Sequence, residues 1–114
     1  MRRLALHAPT EMAVPAIVAG ELAFGAYDST RVAENLRLVS DFLAPYAIVP
    51  FDSQVGYHYG RIWADLKRRG APIGANDLLI AATAVASDLV LVTNNTGEFG
   101  RVVGLRLEDW EAGT

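Results

Sequence analysis

Residues 73–99, with the sequence IGANDLLIAATAVASDLVLVTNNTGEF, restrict the fold more than any other segment. An apolar run of helical length leads into DLVLVT, a continuous apolar strand of the kind that is covered on both faces in a parallel sheet. Other short apolar strands alternate with helical patterns along the rest of the chain. This alternation predicts an α/β fold with a central parallel sheet and right-handed crossovers.

The remaining elements are predicted from apolar spacing and from residues that begin or end helices. Strands are predicted at MAVP, at AIVPF and, as a last edge strand, at LRLEDW. A first helix is predicted at about 15–27, and a second begins after a cap at Ser29 or Thr30. A third is predicted between Asp52 and Gly70, and a fourth begins after a cap at Asn76.

The composition is that of one folded domain. With 114 residues, of which 52% are hydrophobic and 20% charged, the chain can bury a core, so we expect a single domain over 1–114 and exclude a disordered protein. No apolar run is long enough to cross a bilayer, and MRRLALHAPTE lacks the apolar stretch of a secretory signal. We therefore expect a cytoplasmic protein with no membrane partner.

Cysteine is absent, which excludes disulfides and thiolate metal sites. Any metal must then be bound by oxygen or by one of the two histidines, and oxygen favours a hard cation such as Mg²⁺ or Mn²⁺. The net charge of −3 argues against a general nucleic-acid coat but leaves room for a local basic surface.

Polar residues are predicted to meet at one edge of the sheet. In open α/β sheets, ligands bind at the carboxyl ends of the strands. Asp77 begins the helix before DLVLVT, and Thr93, Asn94 and Asn95 end or follow that strand. Glu21 lies in the early turns of the helix after MAVP, so at a rise of about 1.5 Å per residue it stays near the same edge.

Glu21 has two interpretations. It shares a helix face with the apolar Ile17 and Phe24, where a carboxylate needs a cation, hydrogen bonds or a water-filled cleft. Alternatively, that face is exposed and Val18, Leu22 and Gly25 point inward. The pattern favours neither interpretation.

The other polar residues also have structural explanations. An acid such as Asp77 in the first turn of a helix is favoured by the helix dipole whatever its role. Paired asparagines after a strand commonly form turns. Their shared location with Glu21 is what favours a functional interpretation.

Three segments together resemble one family. VPAIVAGELAFGA, GANDLLIAATA and LVTNNTGEFGRVVGLRLEDW, in this order, are similar to the PIN-domain ribonucleases of the VapC type over residues 4–110. The resemblance implies a three-layer α/β/α sandwich and a metal-dependent endoribonuclease, the toxin of a type II toxin–antitoxin pair that a VapB-like antitoxin inhibits. We also expect a homodimer, for which the stripe that contains Tyr59 and Trp63 is a packing or dimer face.

The resemblance assigns roles residue by residue. It places Glu21 and Asp77 in the metal site, Thr93 at the end of the fourth strand, and Asn95 where many relatives have Asp. Glu21 and Asp77 are expected to bind Mg²⁺ or Mn²⁺, which positions and activates a water for attack on a phosphodiester. Asn95 adds no charge, so we expect it to donate or accept a hydrogen bond there, with Glu98 as a helper.

The chain departs from the family at its N-terminus. PIN domains begin with a strand that ends in Asp-Thr and supplies a primary metal ligand, whereas residues 1–8 resemble the end of the family's first helix. We therefore expect the first strand to be missing, the domain to be truncated relative to the family, and metal affinity to be reduced. The alternative function is a catalytically inactive PIN-like binding module, or a truncated toxin, that retains the antitoxin or dimer contacts.

The segment RIWADLKRRG supplies local positive charge. Arg61, Arg68 and Arg69 are candidate contacts for RNA phosphates. The structural alternative is that Lys67, Arg68 and Arg69 complement the helix C-terminus and that Arg61 pairs with Asp65.

Overall fold

The computed structural model describes residues 5–8, 11–93 and 95–109. The strands are β1 (Ala5–Ala8), β2 (Glu11–Pro15), β3 (Ala47–Val49), β4 (Val90–Val92) and β5 (Leu107–Glu108). The helices are α1 (Ala16–Tyr27), α2 (Val32–Leu43), α3 (Ser53–Arg68), α4 (Ala75–Ala86) and the short α5 (Thr96–Phe99).

The strands form one sheet in the order β3-β2-β1-β4-β5. β2 pairs with β3 and β4 with β5 in parallel, as the sequence predicts. β1 lies between the two pairs and is antiparallel to both neighbours, with Leu6 opposite Ala13 on one side and Leu91 on the other. The four strands other than β1 therefore run in one direction, and the predicted α/β architecture is confirmed with one reversed strand at its centre.

The position of β1 corrects one expectation. Residues 1–8 were expected to resemble the end of a helix, but residues 5–8 form a strand, and residues 1–4 lie outside the described part of the chain. A strand between β2 and β4 pairs backbone N–H and C=O groups that the two would otherwise leave open at the centre of the sheet. β1 and β2 are close in sequence, and a short connection of this kind joins antiparallel strands.

The ends of α3 follow the sequence prediction. The Asp52 carboxylate accepts a hydrogen bond from the Val55 backbone N–H at 3.1 Å, which caps the first turn. Gly70 follows the helix with a φ of +64°, a left-handed conformation that glycine adopts without strain. Local capping chemistry therefore decides both ends of this helix.

Two other predicted caps are wrong. α4 begins after Gly74, so Asn76 lies in the first turn and its side chain bonds elsewhere. The residue before α2 is Arg31, which makes no side-chain capping bond. Ser29 instead donates to the Ala26 carbonyl at 2.6 Å, so it closes the end of α1.

α4 is the central helix of the molecule. It packs against α1, α3, β2 and β4, and the side chains from Ile80 to Ala84 are fully buried. Its small alanines allow neighbouring elements to approach closely, and the Thr83 hydroxyl donates to the Leu79 carbonyl at 2.8 Å, so no polar cost arises there. Burial of α4 begins in its first turn, at Asp77 and Leu78.

The α1 and α2 pair is peripheral. α2 contains no buried residue, and large apolar side chains on the pair remain exposed, namely Phe24, Tyr27, Leu38 and Phe42.

No helix in the described part of the chain is both long and apolar enough to cross a membrane.

Candidate active site

The strand directions bring the polar residues to one edge of the sheet. β2 leads into α1, which carries Glu21, and β4 ends next to Thr93, and both strands run the same way. A direct contact joins α1 to α4, because the Asn76 side-chain amide donates to Glu21 Oε2 at 3.4 Å. Glu21 and the first turn of α4 therefore lie together, as the sequence predicts.

The carboxylates of Asp77 and Glu98 both lie beside Gly74. A methyl group placed on Gly74 would lie 3.4 Å from Glu98 Oε1 and 3.7 Å from Asp77 Oδ2, so both oxygens border the same small volume. Asp77 is only 6% exposed, although it occupies the first turn of a helix. A buried acid is costlier than a solvated one, so the helix dipole alone does not account for this position.

Glu98 is oriented from both sides. Its Oε1 accepts a hydrogen bond from the Gly74 backbone N–H, and its Oε2 accepts one from the Asn95 side-chain amide at 3.3 Å. The Asn95 backbone N–H donates in turn to the Thr93 hydroxyl at 3.0 Å. Asn95 thus connects the end of β4 to Glu98, while Asn94 lies outside the described residues.

Thr93 belongs to this arrangement without reaching its surface. Its side chain is 1% exposed, and its backbone N–H donates to the Glu108 carbonyl at 3.0 Å. Thr93 therefore shapes the turn that carries Asn95.

The two interpretations of Glu21 are both partly met. Ile17 and Leu22 are both partly buried against the core, whereas Phe24 is 68% exposed. The face that carries Glu21 therefore passes from the core at Ile17 to solvent at Phe24. Glu21 itself is half-buried because α4 covers it through Asn76. Glu21 therefore lies at the border between core and solvent, a position that suits a residue lining a cleft.

Sequence reasoning gave too little weight to Glu98 and misjudged Asn76. Glu98 lies three residues after Asn95, in the first turn of a short helix that follows a strand, which is the pattern that drew attention to Asp77. That signal was available from the sequence. The contact between Asn76 and Glu21, 55 residues apart, had no local signal.

The donor set fits a hard cation bound weakly. The oxygens that border the volume beside Gly74 come from two carboxylates, which is the number that Mg²⁺ commonly takes from protein when a substrate phosphate and water complete its shell. Among the described side chains, no three of His, Asp or Glu are grouped closely enough to hold a metal ion by themselves. The expected reduction in metal affinity stays a prediction.

The predicted RNA contacts separate into two groups. Arg69 is bound to the Asp65 carboxylate through Nε at 2.9 Å and Nη2 at 2.8 Å. That hydrogen bond lowers the pKa of Asp65 below its ordinary value of 3.8, and the charges of Arg69, Arg68 and Arg61 act in the same direction, while burial opposes them. Arg69 is therefore committed to an ion pair with Asp65, the residue that the structural alternative had assigned to Arg61.

Arg61 and Arg68 line a cavity of about 200 Å³ that is formed by residues of α3 and by Val103. Arg68 is 4.0 Å from Asp65 with its side chain 71% exposed, and Arg61 contacts His58 Nδ1 at 3.1 Å. Pairing with Arg69 neutralises the Asp65 charge at this cavity, so the two lining guanidinium groups leave it positive. Arg61 therefore contacts His58 and not Asp65, the partner that the structural alternative predicted.

Comparison with known proteins identifies the family. The PIN domain family model matches residues 2–105. A protein of Salmonella typhimurium named tRNA(fMet)-specific endonuclease VapC is 40% identical over 101 residues, which cover 89% of this chain and 76% of that protein. Ribonuclease VapC2 of Haemophilus influenzae is 40% identical over 100 residues, which cover 88% of this chain and 76% of that protein.

Solved structures agree with this relationship. VapBC2 from Rickettsia felis, bound to a DNA fragment from its promoter, contains a chain that superposes with a TM-score of 0.82 at 39% identity, covering 86% of this chain and 74% of that one. DNA-bound VapBC from Salmonella typhimurium gives 0.83 at 40% identity, with the same coverage. The predicted three-layer fold class is confirmed, and the chain belongs to the PIN-domain family, among the ribonucleases of the VapC type.

Proposed function

We propose that this protein is a divalent-metal-dependent endoribonuclease and the toxin of a toxin–antitoxin pair. The observation that carries the proposal is the approach of the Asp77 and Glu98 carboxylates to one small volume, with Glu21 joined to the same helix turn through Asn76. The relatives named as ribonucleases and as a tRNA endonuclease support it.

Asp77 and Glu98 are the proposed ligands of Mg²⁺ or Mn²⁺, with Glu21 acting on the cation through a bound water. The cation, when bound, supplies Lewis-acid activation of the phosphodiester and of the attacking water. Asn95 orients Glu98 through its amide, and Thr93 holds the backbone of Asn95. Their role is to keep an acidic oxygen facing the cation.

The substrate class is RNA, and transfer RNA is the first candidate because the Salmonella relative is named for tRNA(fMet). Arg61 and Arg68 are the proposed phosphate contacts, since both line the cavity on α3 and both side chains lie at the surface. Arg69 is a weaker candidate because Asp65 holds it.

A VapB-like antitoxin is the proposed inhibitor, as the solved relatives are VapBC complexes. A homodimer is also proposed, with the exposed Trp63 on α3 as a candidate contact. A toxin that cuts transfer RNA acts in the cytoplasm, which is where we place this protein.

The direct test is cleavage of purified tRNA(fMet) and an elongator tRNA by the full chain with Mn²⁺, with Mg²⁺ and with EDTA. Asp77→Asn keeps the shape of the side chain and removes its charge. Even residues that only support a metal ligand alter affinity or activity by about 10–100-fold, so we expect this variant to lose at least that much activity. Cleavage that persists in EDTA, or in Asp77→Asn, contradicts the proposal.

A second candidate is the inactive binding module. It is favoured by the lack of a three-carboxylate group among the described residues. Such a protein binds the antitoxin and neither binds Mn²⁺ nor cleaves RNA. Calorimetric titration of Mn²⁺ into the full chain, followed by titration of a VapB-like antitoxin, separates the two candidates.

A further inference from the structure

Three hydrogen bonds join the loop between α3 and α4 to the segment that begins in α5. Arg69 Nη2 donates to the Arg101 carbonyl. Arg101 Nη1 donates to the Pro72 carbonyl at 2.7 Å. The Gly74 backbone N–H donates to Glu98 Oε1. Residues 69–74 and 98–101 are therefore joined by hydrogen bonds, and each segment supplies at least one of the donors.

The start of the loop is fixed independently. Asp65 holds Arg69, and the Ala71 backbone N–H donates to the Leu66 carbonyl at 3.0 Å, which closes the end of α3. Pro72 has no backbone N–H, so its carbonyl is the one backbone group there that can make a hydrogen bond. That carbonyl accepts its bond from the charged Arg101 guanidinium, and charge-assisted bonds of this kind are stronger than neutral ones.

We propose that Arg101 is a positioning residue for the acidic site. By holding Pro72, Arg101 keeps Gly74 two residues later in place to donate to Glu98. Because Gly74 also precedes α4, the same contact keeps the Glu98 oxygen at the start of the helix that carries Asp77. The link to metal binding rests on the proposed function, whereas the link from Arg101 to Gly74 does not.

The structure offers a matched control in Arg106. Its Nη2 donates to the Asp88 carbonyl at 2.6 Å and to Asp88 Oδ1 at 3.0 Å, in the turn between α4 and β4. Arg101→Met and Arg106→Met each remove one positive charge and one bond from an exposed arginine to a backbone carbonyl, and Arg106→Met also removes the bond to the Asp88 carboxylate. Arg101 alone of these two bonds to the loop that leads to Gly74.

The first experiment measures amide hydrogen exchange of Gly74 in the metal-free full chain. Loss of one hydrogen bond corresponds to about a fivefold change in a local opening equilibrium, so Arg101→Met is expected to speed Gly74 exchange by about fivefold or more. Arg106→Met is expected to leave it unchanged, and Arg101→Lys, which can still donate to Pro72, is expected to restore part of the protection. Unchanged Gly74 exchange in Arg101→Met overturns the proposal.

The second experiment titrates Mn²⁺ calorimetrically into the same proteins. Loss of a group that orients a ligand weakens metal binding by about 10-fold or more, which we expect for Arg101→Met and not for Arg106→Met. Faster Gly74 exchange with unaltered Mn²⁺ affinity overturns the positioning role. If no form binds Mn²⁺, the proposed metal-dependent function fails, while the exchange result still decides whether Arg101 holds Gly74 on Glu98.

Discussion

At the scale of single residues, the candidate site is built from side chains whose surroundings differ from their usual ones. Asp77 is an acid that begins a helix, yet it is nearly buried, and Glu98 has both oxygens engaged by N–H donors. Each acid alone has a structural explanation. Both carboxylates lie beside Gly74, and Asn76, in the same helix turn as Asp77, contacts Glu21. This grouping of acids is the reason to interpret the region as a metal site.

Glu21→Gln tests whether the half-buried acid belongs to the metal site. The substitution keeps the acceptor for Asn76 but removes the charge that a cation needs, so metal-free stability should hold or rise while Mn²⁺ binding weakens by about 10-fold. Glu34→Gln is the control, because Glu34 lies on α2 in an exposed pair with Arg31, and such pairs contribute little. Equal Mn²⁺ binding curves for the two variants would remove Glu21 from the site.

Gly100→Ala tests a close backbone approach after α5. A methyl group on Gly100 would lie 2.6 Å from the Thr96 carbonyl oxygen, a distance that forces the turn to move. Crowding of this kind costs about 1–3 kcal/mol of unfolding free energy, measurable by urea denaturation. Gly97→Ala, where the added methyl group meets nothing within 4 Å, is the control, and equal stability of the two variants contradicts the argument.

At the scale of elements, α4 and the α1 and α2 pair differ in how deeply they are buried. α4 is enclosed by two helices and two strands, so its composition is set by packing. α2 keeps an apolar stripe but buries none of its residues, because it contacts α1 at the edge of the molecule. The element that carries Asp77 is therefore the most constrained one, which suits a site that needs fixed geometry.

Ile80→Ala and Leu38→Ala measure that difference. Ile80 on α4 is fully buried, and removing its side chain should cost about 2–5 kcal/mol of unfolding free energy through lost burial and the cavity left behind. Leu38 on α2 is 60% exposed, so its truncation should change stability by about 0.5 kcal/mol or less. Denaturant titrations of both variants give the comparison, and a similar loss for each would show that α2 is covered in solution.

At the scale of the whole molecule, a net charge of −3 must be reconciled with an RNA substrate. The structure concentrates positive charge at the cavity lined by Arg61 and Arg68, while Asp65 and Arg69 neutralise each other beside it. RNA affinity is then expected to depend on a few local contacts and to be modest in its salt dependence.

The salt dependence of RNA binding tests this arrangement with the catalytically impaired Asp77→Asn protein. Arg61→Ala and Arg68→Ala should each lower the slope of log affinity against log salt by about 0.7, the value for one phosphate contact on a single strand. Lys67→Ala is the control, since Lys67 does not line the cavity. A slope that is equally reduced in all three variants would indicate general attraction rather than a defined contact surface.

The sequence by itself determined the features that depend on neighbours along the chain. The apolar period of α4 and β4, the Asp52 cap and the left-handed Gly70 are local effects of packing face and backbone conformation, and all were predictable. The expectation that Glu21 and Asp77 meet at one edge followed from strand direction in α/β sheets. The family resemblance added the fold and the activity to be tested.

The tertiary structure alone decided the features that join residues distant in sequence. The place of β1 between β2 and β4 depends on backbone groups that those two strands would otherwise leave open, which no local pattern encodes. Asn76 was predicted as a cap and instead reaches Glu21, because a side-chain amide bonds to whichever acceptor the fold brings near. The bond from Arg101 to Pro72 has the same origin, since hydrogen bonds between loops require both loops to be in place first.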